Sequence, residues 1–249
     1  MRYAIAAALL LAAATPLAAQ KVTPAITAAL ADSSRPAEQR ERDAARKPAE
    51  ILAFAGIKPG QKVADFIMGG GYWTRILSPL VGPKGKVYAY QPAEFIKFRA
   101  AYGEEQKTAV AGLANTVALN DSLGALIFPE PLDAIVTVQN YHDLFLQPFP
   151  KGTGEAVTRK LYNSLKPGGV LLVVDHVANA DPENKAPTAL HRIDPNVARR
   201  ELEKAGFRFA GKLDLLRNTT DPHTASVFDA SIRGKTDQFV FKFVRPRAQ

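Results

Sequence analysis

The sequence predicts an α/β fold built on a doubly wound, mostly parallel sheet. Three observations predict it. Short apolar runs alternate with helix-forming segments along nearly the whole chain, without an internal repeat. The run at 132–138, Leu-Asp-Ala-Ile-Val-Thr-Val, is apolar and β-branched enough for burial on both faces. Residues 63–74 read as a buried strand that enters a glycine-rich turn, Gly69-Gly70-Gly71, and then opens a helix. That last arrangement seats nucleotide-like ligands at the carboxyl end of a first strand.

The elements follow in order. After a short tether, residues 36–55 have helix-forming composition, with Ile51, Leu52 and Phe54 clustered at the end. Gly56 and Pro59-Gly60 stop that helix, as helix-ending residues should. The first strand is 62–67, and a helix at 72–81 closes at Gly82-Pro83. A second strand at 86–90 precedes a helical region at 93–114 and a weak strand at 116–119. The fourth strand is 132–138, followed by a helix at 155–165 that Lys166-Pro167-Gly168-Gly169 stops. The fifth strand is 170–174, a helix spans 196–205, and the last two strands are 207–215 and 238–244. Residues 216–237 have no clear period, and a loop of that length is usually functional or mobile.

Residues 1–19 have the layout of a secretory signal: Arg2 near the start, an apolar run from Ile5 to Ala14, and small residues before Gln20. The apolar run is shorter than the ~20 residues a spanning helix needs. A periplasmic or secreted location is expected, with cleavage after Ala19 and no membrane association afterwards. The roughly 230 residues that follow suit one α/β domain, expected at 48–249, with an N-terminal tether and helix over 20–47. The chain has no cysteine, which excludes disulfides, thiolate metal sites and a cysteine nucleophile. Its net charge of +8 is spread among interleaved acids, as in Arg40-Glu41-Arg42-Asp43, and no basic face or aromatic ladder accompanies it. No nucleic-acid partner is therefore expected; a small-molecule substrate is.

The glycine turn is joined by three further stretches. Gly82-Pro83-Lys84-Gly85-Lys86-Val87 leads the second strand, Leu132-Asp133-Ala134-Ile135-Val136 is the fourth, and Leu165-Lys166-Pro167-Gly168-Gly169-Val170 leads the fifth. In this order and spacing the set resembles class I S-adenosylmethionine-dependent methyltransferases, over about residues 48–244. A narrower resemblance is to a family of exported bacterial proteins labelled as predicted methyltransferases. Gly69 to Ser78, Asp175-His176, Leu190-His191-Arg192-Ile193-Asp194-Pro195 and Ile232 to Gln238 carry it.

The resemblance implies a Rossmann-like sheet of seven strands with the last one antiparallel, and S-adenosylmethionine as cofactor. It implies that Asp65, Gly69, Gly70 and Gly71 border the methionine end. Asn120, Asp121, Gln139 and Asn140 would lie near the adenine end or the catalytic mouth. Two positions depart from the pattern. Ile67 stands where the family has its first glycine, and Gln91 stands where a carboxylate receives the ribose hydroxyls. Glu94 is placed to substitute for that acid.

All four histidines lie in the second half of the chain. His142 and His176 follow the fourth and fifth strands, at the sheet end where open α/β proteins bind ligands. His191 and His223 lie in loops. Histidine suits proton transfer near neutral pH, and a neighbouring carboxylate orients it. Candidate acid/base groups are thus His142, His176, His191, Asp175 and Asp194, with Tyr141 beside them. Tyr72, Trp73, Arg192, Arg217 and Arg233 are candidates for holding a substrate, the arginines through a carboxylate or phenolate. No His-x-x-x-His or His-x-Asp spacing is present, so no metal site is expected.

Three functions compete on these grounds. One is methyl transfer from S-adenosylmethionine to a small aromatic or hydroxylated acceptor. The export signal weighs against it, because that cofactor is made in the cytosol. The second is cofactor-independent acid/base chemistry, a lyase or elimination on an aromatic compound, which the departures at Ile67 and Gln91 favour. The third is a ligand-binding protein without catalysis.

Overall fold

The computed structural model describes residues 21–247 of the chain. The signal expected at 1–19 lies outside the described residues. Seven strands form one sheet: β1 Lys62–Phe66, β2 Lys86–Tyr90, β3 Thr116–Leu119, β4 Leu132–Val138, β5 Leu165–His176, β6 Arg208–Leu213 and β7 Gln238–Val244. Their order is β3-β2-β1-β4-β5-β7-β6. All pairings are parallel except those of β7, which runs antiparallel to both β5 and β6. The sheet expected from the sequence and its resemblance is therefore the one observed.

Successive residues of each strand face opposite layers. Ala64, Tyr88, Ile135, Leu171 and Phe241 pack into one core, which the helices α8 Thr153–Ser164 and α10 Pro195–Lys204 cover with Leu161 and Leu202. Val63, Val87, Val136, Leu172 and Val240 pack into the other. There α4 Pro48–Ala55 supplies Ile51 and Leu52, and α5 Thr74–Val81 supplies Ile76 and Leu77. Burial of β4 on both faces is what its composition required.

Several helices differ from the sequence reading. The segment taken as a tether contains α1 Pro24–Leu30, started by a Thr23 side-chain cap, and its Ile26 and Ala29 are buried beneath α5. The helix expected over 36–55 is three: α2 Ala37–Arg40, α3 Asp43–Arg46 and α4. Lys47 separates the last two by adopting a left-handed φ of 49°. The region 93–114 divides into α6 Ala93–Phe98 and α7 Ala101–Val110, because Arg99 is extended. Two short elements had no sequence signal: η1, a 3-10 turn at His142–Phe145, and α9 Ala186–Leu190. Residues 216–237 hold neither helix nor strand, but they are anchored. Arg192 pairs with Asp221, and both side chains are fully buried.

The direction of strand progression reverses between β1, which leads to β2 and β3, and β4 on its other side. Open α/β sheets bind ligands outside the carboxyl ends of strands at such a switch. The glycine turn after β1, His142 after β4 and His176 at the end of β5 lie at that end.

Candidate active site

The turn after β1 is held from three sides. Gln91, fully buried at the end of β2, accepts the Gly69 amide on Oε1 at 3.0 Å. Asn140 after β4 donates to the Ile67 carbonyl at 2.8 Å and to the Val138 carbonyl at 2.7 Å. Gln39 and Arg75 donate to the Gly70 carbonyl at 3.2 and 2.9 Å. Ile67 adopts the left-handed φ of 60° that a glycine would take at no cost. The penalty for such a residue is ~1–2 kcal/mol. Burial of its side chain in the core offsets that cost. The backbone shape of the turn thus survives the departure at 67.

The three glycines have different reasons. A Cβ on Gly69 or Gly70 would meet nothing within 4 Å, so the space over this part of the turn is open. A Cβ on Gly71 would lie 2.3 Å from the Ala109 Cβ, so glycine there lets α7 approach the turn. Gly71 is a packing position, not an opening toward a cofactor.

Asp65 is buried at the end of β1 and accepts the Thr74 hydroxyl at 2.6 Å. Burial raises its pKa to about 6, against the opposing pull of the Thr74 hydrogen bonds and of Arg46. The Nε2 of Gln91 is buried and has no hydrogen-bond partner among the described residues. An unpaired donor beside an open glycine turn fits a ligand that offers hydroxyl oxygens there. Asn120 fixes this corner by donating to the Gln91 carbonyl at 3.3 Å and to Gln106 at 2.6 Å. Asp121 is exposed, and its carbonyl accepts the Tyr90 hydroxyl. Glu94 does not stand in for the missing ribose acid. Both its carboxylate oxygens accept the Leu123 amide at 3.1 Å, which closes the loop after β3.

A cleft of about 410 Å³ opens at the same end of the sheet. Trp73, Gln139, His176, Phe228 and the guanidinium-bearing Arg42, Arg46 and Arg233 line it. The Trp73 indole N–H is buried without a partner among the described residues. Gln139, at a left-handed φ of 62°, donates to Gln238 at 3.0 Å across the cleft floor. Among the described residues no carboxylate lines this space, while three arginines do, so its chemistry favours a ligand with negative charge.

The histidines of the strand ends lie together. His142 Nδ1 bonds Asp175 Oδ1 at 2.7 Å, and the His142 amide donates to Asp175 Oδ2 at 2.8 Å. On the other side of the ring, Nε2 stands 3.1 Å from Asp143 Oδ1. Burial disfavours a charged ring, but Asp175 and Asp143 outweigh it and raise the His142 pKa to about 10. His176 behaves oppositely. Burial, stronger than the attraction of Asp175, lowers its pKa to about 4, and its Nδ1 bonds the Thr236 hydroxyl at 2.6 Å. The ring on the cleft wall is therefore neutral at pH 7. The rings of His142 and His176 are 5.9 Å apart, and those of His142 and His191 are 5.6 Å apart.

Other expected site residues are committed elsewhere. Asp194 caps α10 by accepting the Asn196 amide at 2.8 Å, and it also accepts the Asp181 amide. Tyr141 is buried with its hydroxyl on Thr158, so it belongs to the core. Arg192 is sealed against Asp221, and Arg217 bonds Asp237 at 2.8 Å, so both hold the 216–237 loop instead of a substrate. Tyr72 is also structural: its hydroxyl donates to Asp43, which Arg35 grips with two hydrogen bonds. His223 bonds Asp237 at 2.9 Å within the loop. Of the five residues expected to hold a substrate, Trp73 and Arg233 reach the cleft.

Four contributors were not singled out. Thr74 and Asp143 adjoin residues that were, and Arg42 and Arg46 lie in the stretch 36–55 expected to form one helix. Their spacing of four places both on one side of a helical stretch, the only signal available.

No family model matches this chain. Among curated proteins it is 26% identical over 130 residues to the demethylmenaquinone methyltransferase of Geobacillus stearothermophilus, covering 51% of this chain and 50% of that protein. It is 30% identical over 158 residues to the ubiquinone/menaquinone biosynthesis C-methyltransferase of Cronobacter sakazakii, covering 61% and 58%. The matches thus span only half to three fifths of these relatives' length. A solved structure of a SAM-dependent methyltransferase from Aquifex aeolicus superposes with a TM-score of 0.58 at 22% identity, covering 85% of this chain and 98% of that one. The chain has the class I S-adenosylmethionine-dependent methyltransferase fold. The curated proteins it resembles are quinone methyltransferases by name.

Proposed function

We propose that this protein is an exported S-adenosylmethionine-dependent methyltransferase that acts on a small aromatic or hydroxylated acceptor carrying negative charge. The observation that carries the reading is the open glycine turn. Its Gly69 amide is held by Gln91, whose free Nε2 lies at the corner where such a cofactor's ribose would need partners. When bound, the cofactor supplies an electrophilic methyl group on a sulfonium.

The chain's own residues do the rest. Asp65, Gly69, Gly70 and Gln91 would hold the cofactor, with Asn120 and Asp121 toward its adenine. Arg42, Arg46 and Arg233 would hold the acceptor's acidic group, and Trp73 would line its ring. His176, neutral and on the cleft wall, receives the acceptor proton, since His142 has a carboxylate at each ring nitrogen. Holding the acceptor in the cleft beside the cofactor turn at the same sheet end supplies proximity and orientation. Export rests on residues 1–19, and the mature protein acts without a nucleic-acid or membrane partner. Among the described residues no helix is long and apolar enough to cross a membrane. Histidine and carboxylate groups would also serve a lyase, but the relatives' names favour methyl transfer.

The test is a panel of hydroxylated aromatic acids incubated with the protein and S-adenosylmethionine, with release of S-adenosylhomocysteine as readout. His176→Ala should abolish release while cofactor binding persists. Turnover unchanged in His176→Ala would remove that base. Turnover of an aromatic substrate without the cofactor would favour the lyase.

A further inference from the structure

We propose that His142, Asp143 and His191 form a binding site for one divalent transition-metal ion, with Asp175 orienting His142 from behind. The site stands on geometry and does not depend on the methyl-transfer reading. One ligating atom from each residue lies within 4.8 Å of the other two. His142 Nε2 is 3.1 Å and His191 Nδ1 is 3.6 Å from the same Asp143 oxygen. A tetrahedral ion with bonds of ~2.0–2.1 Å has ligand-to-ligand edges of about 3.3 Å. These two separations bracket that edge, the two histidine nitrogens lie within 4.8 Å of each other, and rotation of the partly exposed His191 ring is the movement that closes the set.

The surroundings suit a dication as well. The nitrogen of His142 away from Asp143 bonds Asp175 Oδ1 at 2.7 Å. Metal-bound histidines are commonly oriented in this way by a carboxylate on the opposite nitrogen. Asp143 and Asp175 bring two carboxylates to one imidazole, and a doubly charged cation balances both. The site is also reachable. The His142 side chain is 4% exposed, whereas Asp143 is 13% and His191 31% exposed. His191 packs edge-on against Phe228, which lines the cleft. An ion held by three protein groups keeps a position for water or for an acceptor oxygen. Sequence spacing gave no hint of it, because η1 and the turn after α9 meet only in the folded chain.

The test uses the untagged protein, stripped with a chelator and titrated with Co²⁺ and then Zn²⁺. One Co²⁺ per chain should bind with visible absorption, be displaced by Zn²⁺, and raise the melting temperature. Asp143→Asn and His191→Asn should each weaken binding at least tenfold. Asp175→Asn should weaken it about 10–100-fold without removing a ligand. His223→Gln should bind like the parent. His191 has a left-handed φ of 52° and is partly exposed, and asparagine tolerates that conformation. His191→Asn therefore folds and decides the matter even where Asp143→Asn does not. Failure of the parent protein to bind either ion, or parent-like affinity in His191→Asn, overturns the proposal.

Discussion

Gln91 Oε1 and the Gly69 amide share a 3.0 Å hydrogen bond that ties the end of β2 to the glycine turn after β1. The amide group therefore spends its acceptor on the protein and keeps its donor for a ligand. A carboxylate at 91 would also accept the amide, and its second oxygen would add a charged hydrogen-bond acceptor. Hydrogen bonds to charged groups are worth ~1.5–3 kcal/mol against ~1 for neutral ones. Gln91→Glu is predicted to tighten S-adenosylmethionine binding by about five- to tenfold. Equal or weaker affinity by calorimetry would show that the free end of Gln91 does not face the ribose.

Gly71 answers to packing. Its φ is 78°, and an added methyl would collide with Ala109 at 2.3 Å. Gly71→Ala should lower stability by about 2–4 kcal/mol, combining overpacking with left-handed strain. Denaturant titration checks this; a loss under 0.5 kcal/mol would mean that α7 yields easily.

The buried pair Arg192–Asp221 anchors the 216–237 loop, with bonds of 2.8 and 3.1 Å and both side chains out of solvent. Removing one partner leaves an uncompensated buried charge, which costs about 3–5 kcal/mol. Asp221→Ala should lose that much and open the loop to limited proteolysis near Phe228. Parent-like stability and cleavage would refute the anchoring role.

Asp65 makes stability depend on pH in a defined sense. Its folded pKa of about 6 lies above its ordinary 3.8, so the folded state holds the proton more tightly than the unfolded one. The residue then costs stability as pH rises from about 4 to about 6, by up to ~3 kcal/mol once ionised. Asp65→Asn should be near neutral at pH 4 and stabilising at pH 7, less the weakened Thr74 bond. Denaturation curves at the two pH values decide it. A benefit that shrinks as pH rises would contradict a raised Asp65 pKa.

The order of strands and the helices beside them was legible because burial on both faces leaves continuous apolar runs such as 132–138. So was the glycine turn, with its departures at Ile67 and Gln91. What escaped were relationships between distant residues. Nothing near His176 announces Thr236, sixty positions away. Arg192 looked like a substrate clamp because its partner Asp221 lies in a loop without periodicity. Asp194 and Tyr141 looked catalytic by proximity to histidines; the cap at Asp194 is local and legible as Asp-Pro before a helix, whereas the Tyr141 contact with Thr158 forms only on folding. Arg42 and Arg46 escaped because one continuous helix is expected over 36–55, whereas the left-handed Lys47 breaks it and both arginines line the cleft.

The central claim is that the turn at 65–71 is a working cofactor cradle. Calorimetric titration with S-adenosylmethionine up to millimolar concentration tests it most directly. The predicted result is one-site binding that Gly69→Val abolishes while its melting transition stays cooperative. No heat and no thermal shift with the parent protein, or undiminished binding in Gly69→Val, would contradict it.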